Sequence, residues 1–380
     1  MKKLFWLGWI GLLLFEIANV YFIMPMPGSQ EMNSIDLAYF LYSWRWAFRI
    51  LFGLMIVTGL FRVNWEGRWK WALVVSIVIL FTVIYMANFK MAADAMFKQP
   101  KQVSLAGANQ NKVDSNRLVI GVAFNGEAKA YPIQFLGYHH HIQDTVGGKP
   151  IMVTYCTVCR TGRVFEPVVN GKRETFRLVG MDHFNAMLED ATTKSWWRQV
   201  NGEAIAGKLK GRRLPEVFST QTSLGEWLQL HPNSMILQAD SSFIESYGKT
   251  TKYEEGKSRD PLTGTDSLSW KNKSWVVGVK VGDARKAYDW NQLIRERIIH
   301  DKINNTPLIV VISSNDKSFY AFERPDNDSR FSLEKDAIVF NSHHFQIDGR
   351  GIDTSYSLKP LQAYQEFWHS WRTFNPGTTR

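Results

Sequence analysis

Cysteine is almost absent: Cys156 and Cys159 are the only two in 380 residues. A disulfide-rich scaffold is therefore excluded, and a chain of this length with 45% hydrophobic residues can build a core without one. Phosphate-binding loops of the GxGxxG or GxxxxGK[ST] type are missing, so no nucleotide cofactor is expected. No Ser-His-Asp triad is legible. Long runs of one charge are missing too. The net charge of +10 comes from 45 basic residues scattered among 35 acidic ones, which argues against a nucleic-acid partner.

Apolar length and tryptophan are plentiful at the N-terminus. Residues 4–24 and 71–89 are each long enough to cross a hydrocarbon core, and residues 37–61 are apolar except for Arg45 and Arg49. Three transmembrane helices are predicted, within an anchor over 1–95. The stretch "PMPGSQ" after the first is no signal-peptidase site, so that stretch reads as a retained anchor. Lys2 and Lys3 precede the first span, and Arg62, Arg68 and Lys70 lie between the second and third, whereas the first loop carries only Glu31 and Asp36. The basic ends belong in the cytoplasm, which sends everything after about residue 90 to the periplasm or cell exterior. Within the membrane, Glu16 and Arg49 fall at nearly the same depth. An unpaired charge there costs roughly 2.5–3.5 kcal/mol, so they are expected to pair, with Arg45 as the alternative partner.

The remaining chain contains two similar stretches, 119–166 and 276–323, aligned without a gap at a constant offset. Gly121/Gly278, Ala130/Ala287, Tyr131/Tyr288, Asp144/Asp301, Pro150/Pro307 and Phe165/Phe322 are identical pairs. Each stretch opens with a β-branched run, a turn and a short helical segment, then a second β-branched run. The expected fold class is α+β: a β-rich soluble region of two related repeats preceded by the three helices. The boundaries read as a linker over 96–115, copy one over 116–239, a polar linker over 240–274 and copy two over 275–380.

Copy two has Ser313, Asp316 and Glu296 where copy one has Cys156, Cys159 and His139. The apolar skeleton is kept while the chemistry is confined to copy one. Two thiols three residues apart reach one point, and the triplet His139, His140 and His141 upstream offers imidazoles. Thiolate and imidazole together suit copper or zinc. A thiol-disulfide oxidoreductase or redox sensor is the alternative. It is weakened because "RTGRVFEPVV" after Cys159 reads as turn and strand, not as the helix that lowers a redox thiol's pKa. A plain structural role for the cysteines, and a solvated turn for His140 and His141, are the bland readings.

The runs "EAKAYP", "VTYC..C.TG.VFE" and "S.W.Q..GEAIAG.L.G..L" resemble domain of unknown function 3179, a family of exported or membrane-attached bacterial and archaeal proteins. The resemblance carries His139, Cys156 and Cys159 over as site residues. His140 departs from the acidic residue of the family's pattern. Ser195, Trp197 and Gln199 match its "S.W.Q" motif and, with Arg160, are expected to line the same cleft. The resemblance implies no reaction, substrate or protein partner.

Overall fold

The computed structural model describes residues 2–61, 67, 69–248 and 250–380. Arg62 and Arg68, which carry part of the orientation argument, lie outside the described residues. The chain divides into two compact units.

The first unit comprises residues 1–98, 176–198 and 203–213. Among the described residues, two helices are long and apolar enough to cross a membrane, Lys3–Tyr21 and Trp69–Lys90. The predicted span over 37–61, second in chain order, is not one straight helix. It is a pair, Ile35–Ser43 and Arg45–Leu60, bent by 61° at Trp44. Arg45 explains the break: its guanidinium donates to the Tyr42 carbonyl at 2.6 Å and stacks on the Tyr42 ring, satisfying the end of the preceding helix. Leu7, Leu14, Ile50, Leu54, Val78 and Phe81 are all exposed, an apolar surface suited to lipid.

Helix packing in this unit depends on small residues. A Cβ on Gly59 would lie 2.5 Å from the Phe5 nitrogen, and one on Gly8 would lie 2.8 Å from the Met55 Cβ. Glycine lets the backbones of Lys2–Tyr21 and Arg45–Leu60 approach closely, as small residues do between apolar helices. The same unit holds a four-stranded antiparallel sheet in the order Ala204–Ala206, Trp196–Arg198, Asn185–Asp190, Phe176–Asp182.

The second unit comprises residues 99–175, 199–202 and 214–380 and is β-rich, made of several small sheets. In its first half, strands Leu118–Phe124 and Glu127–Pro132 pair antiparallel, followed by helix Ile133–His139 and the antiparallel set His141–Val146, Lys149–Cys156 and Thr161–Phe165. In its second half the same order recurs. Trp275–Val281 pairs with Ala284–Asp289, helix Trp290–Glu296 follows, and Ile298–Ile303, Thr306–Ile312 and Phe319–Glu323 pair antiparallel.

The matching positions do matching work. A Cβ at Gly121 would sit 2.3 Å from Trp227 Cζ3, and one at Gly278 would sit 2.1 Å from Trp371 Cζ3. Each glycine thus clears the sheet face for one indole. Lys129 pairs with Asp144 at 3.2 Å and Lys286 with Asp301 at 2.6 Å. Both short helices end on a left-handed residue, His140 and Arg297.

Segment 240–274 is more ordered than a polar linker. It forms the short helices Ile244–Gly248 and Thr250–Glu254 and buries Tyr247, Tyr253 and Glu254.

Candidate functional site

The strand Lys149–Cys156 is an apolar run whose last six residues are buried. It pairs with Thr161–Phe165 so that Cys156 stands opposite Thr161. The residues between form a tight hairpin turn, closed by Arg160 in the left-handed region at φ 54°. That local geometry puts both sulfurs on one turn. Both cysteines are fully buried and form no disulfide.

The Cys159 thiol is hydrogen-bonded to Cys156 and to Ser370. Burial pushes its pKa well above the usual thiol value, and the bond with Cys156 pushes the same way. At rest it is therefore a neutral thiol.

The turn is held by its backbone oxygens. Cys159 accepts from the Phe367 N–H at 2.9 Å, and Val158 accepts from the Lys273 ammonium at 2.8 Å. His369 Nε2 lies 3.1 Å from the Val158 oxygen and 3.3 Å from Lys273 Nζ. Burial holds His369 at about 4, with Lys273 adding to the effect, so the ring is neutral at pH 7. Burial also lowers the Lys273 pKa, opposed by the two cysteines and Asp260. A cation beside two thiols is the electrostatic character of the site.

Arg160 is fully buried and committed to structure. It donates to Gln365 Oε1 at 2.9 Å, to the Tyr253 carbonyl at 3.1 Å and to the Glu254 carbonyl at 3.0 Å, and stacks 3.6 Å above Trp275. Arg163, likewise buried, is ion-paired with buried Glu366 and lies over the Tyr364 ring.

The three histidines do not form an extended, solvated segment: all are buried. His139 ends its helix with Nε2 2.7 Å from the Tyr247 hydroxyl, packed edge-on against Tyr138 and Phe243. His140 turns the chain at φ 62°, its Nδ1 2.9 Å from the Tyr155 carbonyl, and burial holds it at about 4. His141 starts the next strand opposite Thr154, with Nδ1 3.2 Å from Gln99. Helix end, left-handed turn and strand start point the three rings to different partners. Among the described residues, no three His, Cys, Asp or Glu side chains form a group able to hold a metal ion, so His139 is not brought together with Cys156 and Cys159 as a three-ligand set.

The other motif residues divide between the units. Gln199 belongs with the thiols: it is buried and donates to Thr154 Oγ1 at 2.9 Å and to the Thr161 carbonyl at 3.1 Å, bracing the hairpin. Ser195 and Trp197 belong to the helical unit, where both serve Asp190. The Ser195 N–H and the Trp197 indole N–H each donate to its Oδ2. Sequence reasoning missed Lys273, His369, Ser370 and Tyr247. The aromatic spacing around Tyr247 and Tyr253 was a faint signal of burial, while Lys273 gave none.

No curated protein and no solved structure matches the chain. Residues 96–378 match the model of a family described as "Protein of unknown function (DUF3179)", a span covering the thiol hairpin and all its neighbours, and the chain belongs to that family.

Proposed function

We propose that Cys156 and Cys159 form a two-thiolate site for a soft cation, copper(I), on a membrane-anchored protein. The observation that carries this reading is the pair of mutually hydrogen-bonded thiols on one hairpin turn, backed by Lys273. Zinc asks for four ligands in a tetrahedron, and among the described residues the two sulfurs belong to no group of three His, Cys, Asp or Glu able to hold a metal. Two thiolates by themselves suit copper(I). Loading displaces the protons of both thiols, and the Lys273 ammonium offsets the negative charge that results.

The same proximity favours a second reading, a dithiol that is oxidised to a disulfide, releasing two protons and two electrons to an acceptor such as a partner's disulfide. Against it stands the strand that follows the turn, where a redox thiol calls for a helix N-terminus.

The duplicated order of elements supports descent of the two halves from one unit, with copy two a structural partner. The basic residues flanking the helices support a cytoplasmic N-terminus and an outward domain. A C-terminal reporter active only outside the cytoplasm is expected, and activity inside would refute that orientation.

The decisive test is anaerobic titration of the reduced, detergent-purified full chain with copper(I) against a competing chelator. One copper per chain is expected, lost in Cys156→Ser and in Cys159→Ser and kept in His139→Gln. No binding, together with thiols that become countable only after reduction, would instead support the redox reading.

A further inference from the structure

The helical unit contains a cavity of about 760 Å³ where the helices Lys2–Tyr21 and Trp69–Tyr85 end. That volume falls in the roughly 300–1,000 Å³ range of ligand pockets. Its walls are of two kinds. Val20, Ile23, Ala87 and Val179 make an apolar side continuous with the helix ends. The polar side carries Arg45, Arg177, Lys194 and Lys208 against Asp94 and Glu189.

Both acids are already engaged. Arg177 donates to Glu189 at 2.9 Å, to Asp94 at 3.0 Å and to the Tyr42 hydroxyl. Arg45 keeps guanidinium donors beyond the one given to the Tyr42 carbonyl. Among the described residues Arg45, Lys194 and Lys208 form no ion pair, although Lys210 close by is paired with Asp36. The cavity is thus left with three cations without carboxylate partners.

An apolar wall at the ends of membrane-length helices and three unneutralised cations define an amphiphile. We propose that this cavity binds an anionic glycerophospholipid, its phosphate held by Arg45, Lys194 and Lys208 and its acyl chains against Val20, Ile23, Ala87 and Val179. The helices end at the level where headgroups lie, which supplies the ligand without its leaving the bilayer. The shared chemistry is a phosphate ester, and a soluble phosphate is the competing source.

The test places the full chain in nanodiscs of equal phosphatidylglycerol and phosphatidylcholine and counts the lipid retained on release into a mass spectrometer. Phosphatidylglycerol should be retained about tenfold over phosphatidylcholine. The double variant Lys194→Gln/Lys208→Gln, at exposed positions that leave the fold intact, should weaken retention roughly thirtyfold. Ala92→Trp, which fills the cavity with the charges in place, should abolish it. Millimolar inorganic phosphate should leave retention unchanged. Equal retention of the two lipids, retention unaffected by the lysine variant, or displacement of the lipid by inorganic phosphate would overturn the proposal.

Discussion

Arg49 and Glu16 form a two-pronged ion pair between helices Arg45–Leu60 and Lys2–Tyr21, Nε to Oε1 at 2.7 Å and Nη2 to Oε2 at 3.0 Å. Asn88 closes the network, accepting from Arg49 at 2.6 Å and donating to Glu16 at 2.9 Å. Glu16 stands five residues before the end of Lys2–Tyr21 and Arg49 four residues after the start of Arg45–Leu60. At a rise of 1.5 Å per residue these are depths of about 7.5 and 6 Å, so the carboxylate and guanidinium meet without strain.

Breaking this pair leaves a charge without its partner where the Glu16 side chain is only 1% exposed. Glu16→Gln or Arg49→Gln alone should lower stability in detergent by about 3 kcal/mol. The double variant should recover at least about 1 kcal/mol of the summed loss, measured by equilibrium unfolding in mixed micelles. Strict additivity would show that the two side chains do not interact.

His140 gives a pH dependence of definite sign. Its folded pKa of about 4 lies below the 6.5 of the unfolded chain, so the unfolded state binds the proton first on acidification. Stability from His140 is complete above pH 6.5 and falls by about 3 kcal/mol as pH drops to 4. Glu254, pushed up to about 7 by burial, slopes the other way, its contribution being lost as pH rises from 4.5 through 7. His140→Asn, whose side chain tolerates the left-handed turn, should flatten the histidine's part of the curve. A wild-type curve and a variant curve of the same slope between pH 4 and 6.5 would refute the assignment.

The thiols should be chemically silent in the folded protein. Burial of both sulfurs and the raised pKa of Cys159 predict that iodoacetamide at pH 8 labels neither residue in native protein and both in urea. Intact-mass spectrometry across a urea series should show labelling that tracks unfolding. Fast labelling of one cysteine in native buffer would mean an open, reactive site.

Gly121 and Gly278 predict a matched pair of defects. Alanine at either would drive a methyl into Trp227 or Trp371, which can move only by repacking the core. Each substitution should cost about 1–3 kcal/mol in thermal or denaturant unfolding. A neutral Gly278→Ala would show that the fully buried Trp371 has room to shift.

Parts of this molecule are legible because they depend on spacing along the chain. The C-x-x-C run puts both sulfurs within reach of one point, the β-branched run before it and the turn-and-strand pattern after it read as a hairpin, and the similarity of 119–166 to 276–323 announces two runs of like elements. The Glu16–Arg49 pairing followed from helix rise and from the cost of a lone charge in lipid. The bend at Trp44 was not legible, since apolar length is blind to the side chain that ends a helix. Nor was the fate of the histidines. A triplet in sequence looks like one cluster, but His139 ends a helix, His140 turns the chain and His141 begins a strand, so the three rings part company.

The sequence by itself determined where the membrane-length helices lie, that both sulfurs share one turn, and which two charges meet between helices. Those properties follow from covalent spacing and the fixed geometry of helix and hairpin. Only the tertiary structure decided that both thiols are buried and that burial keeps Cys159 neutral, and that Lys273 and His369, 115 and 211 residues from Val158, hold the turn. It alone also grouped residues 176–198 and 203–213 with the N-terminal helices and left three cations around one cavity without acidic partners among the described residues. Burial and partner choice are set by which distant segments pack together, and no local pattern of residues encodes that.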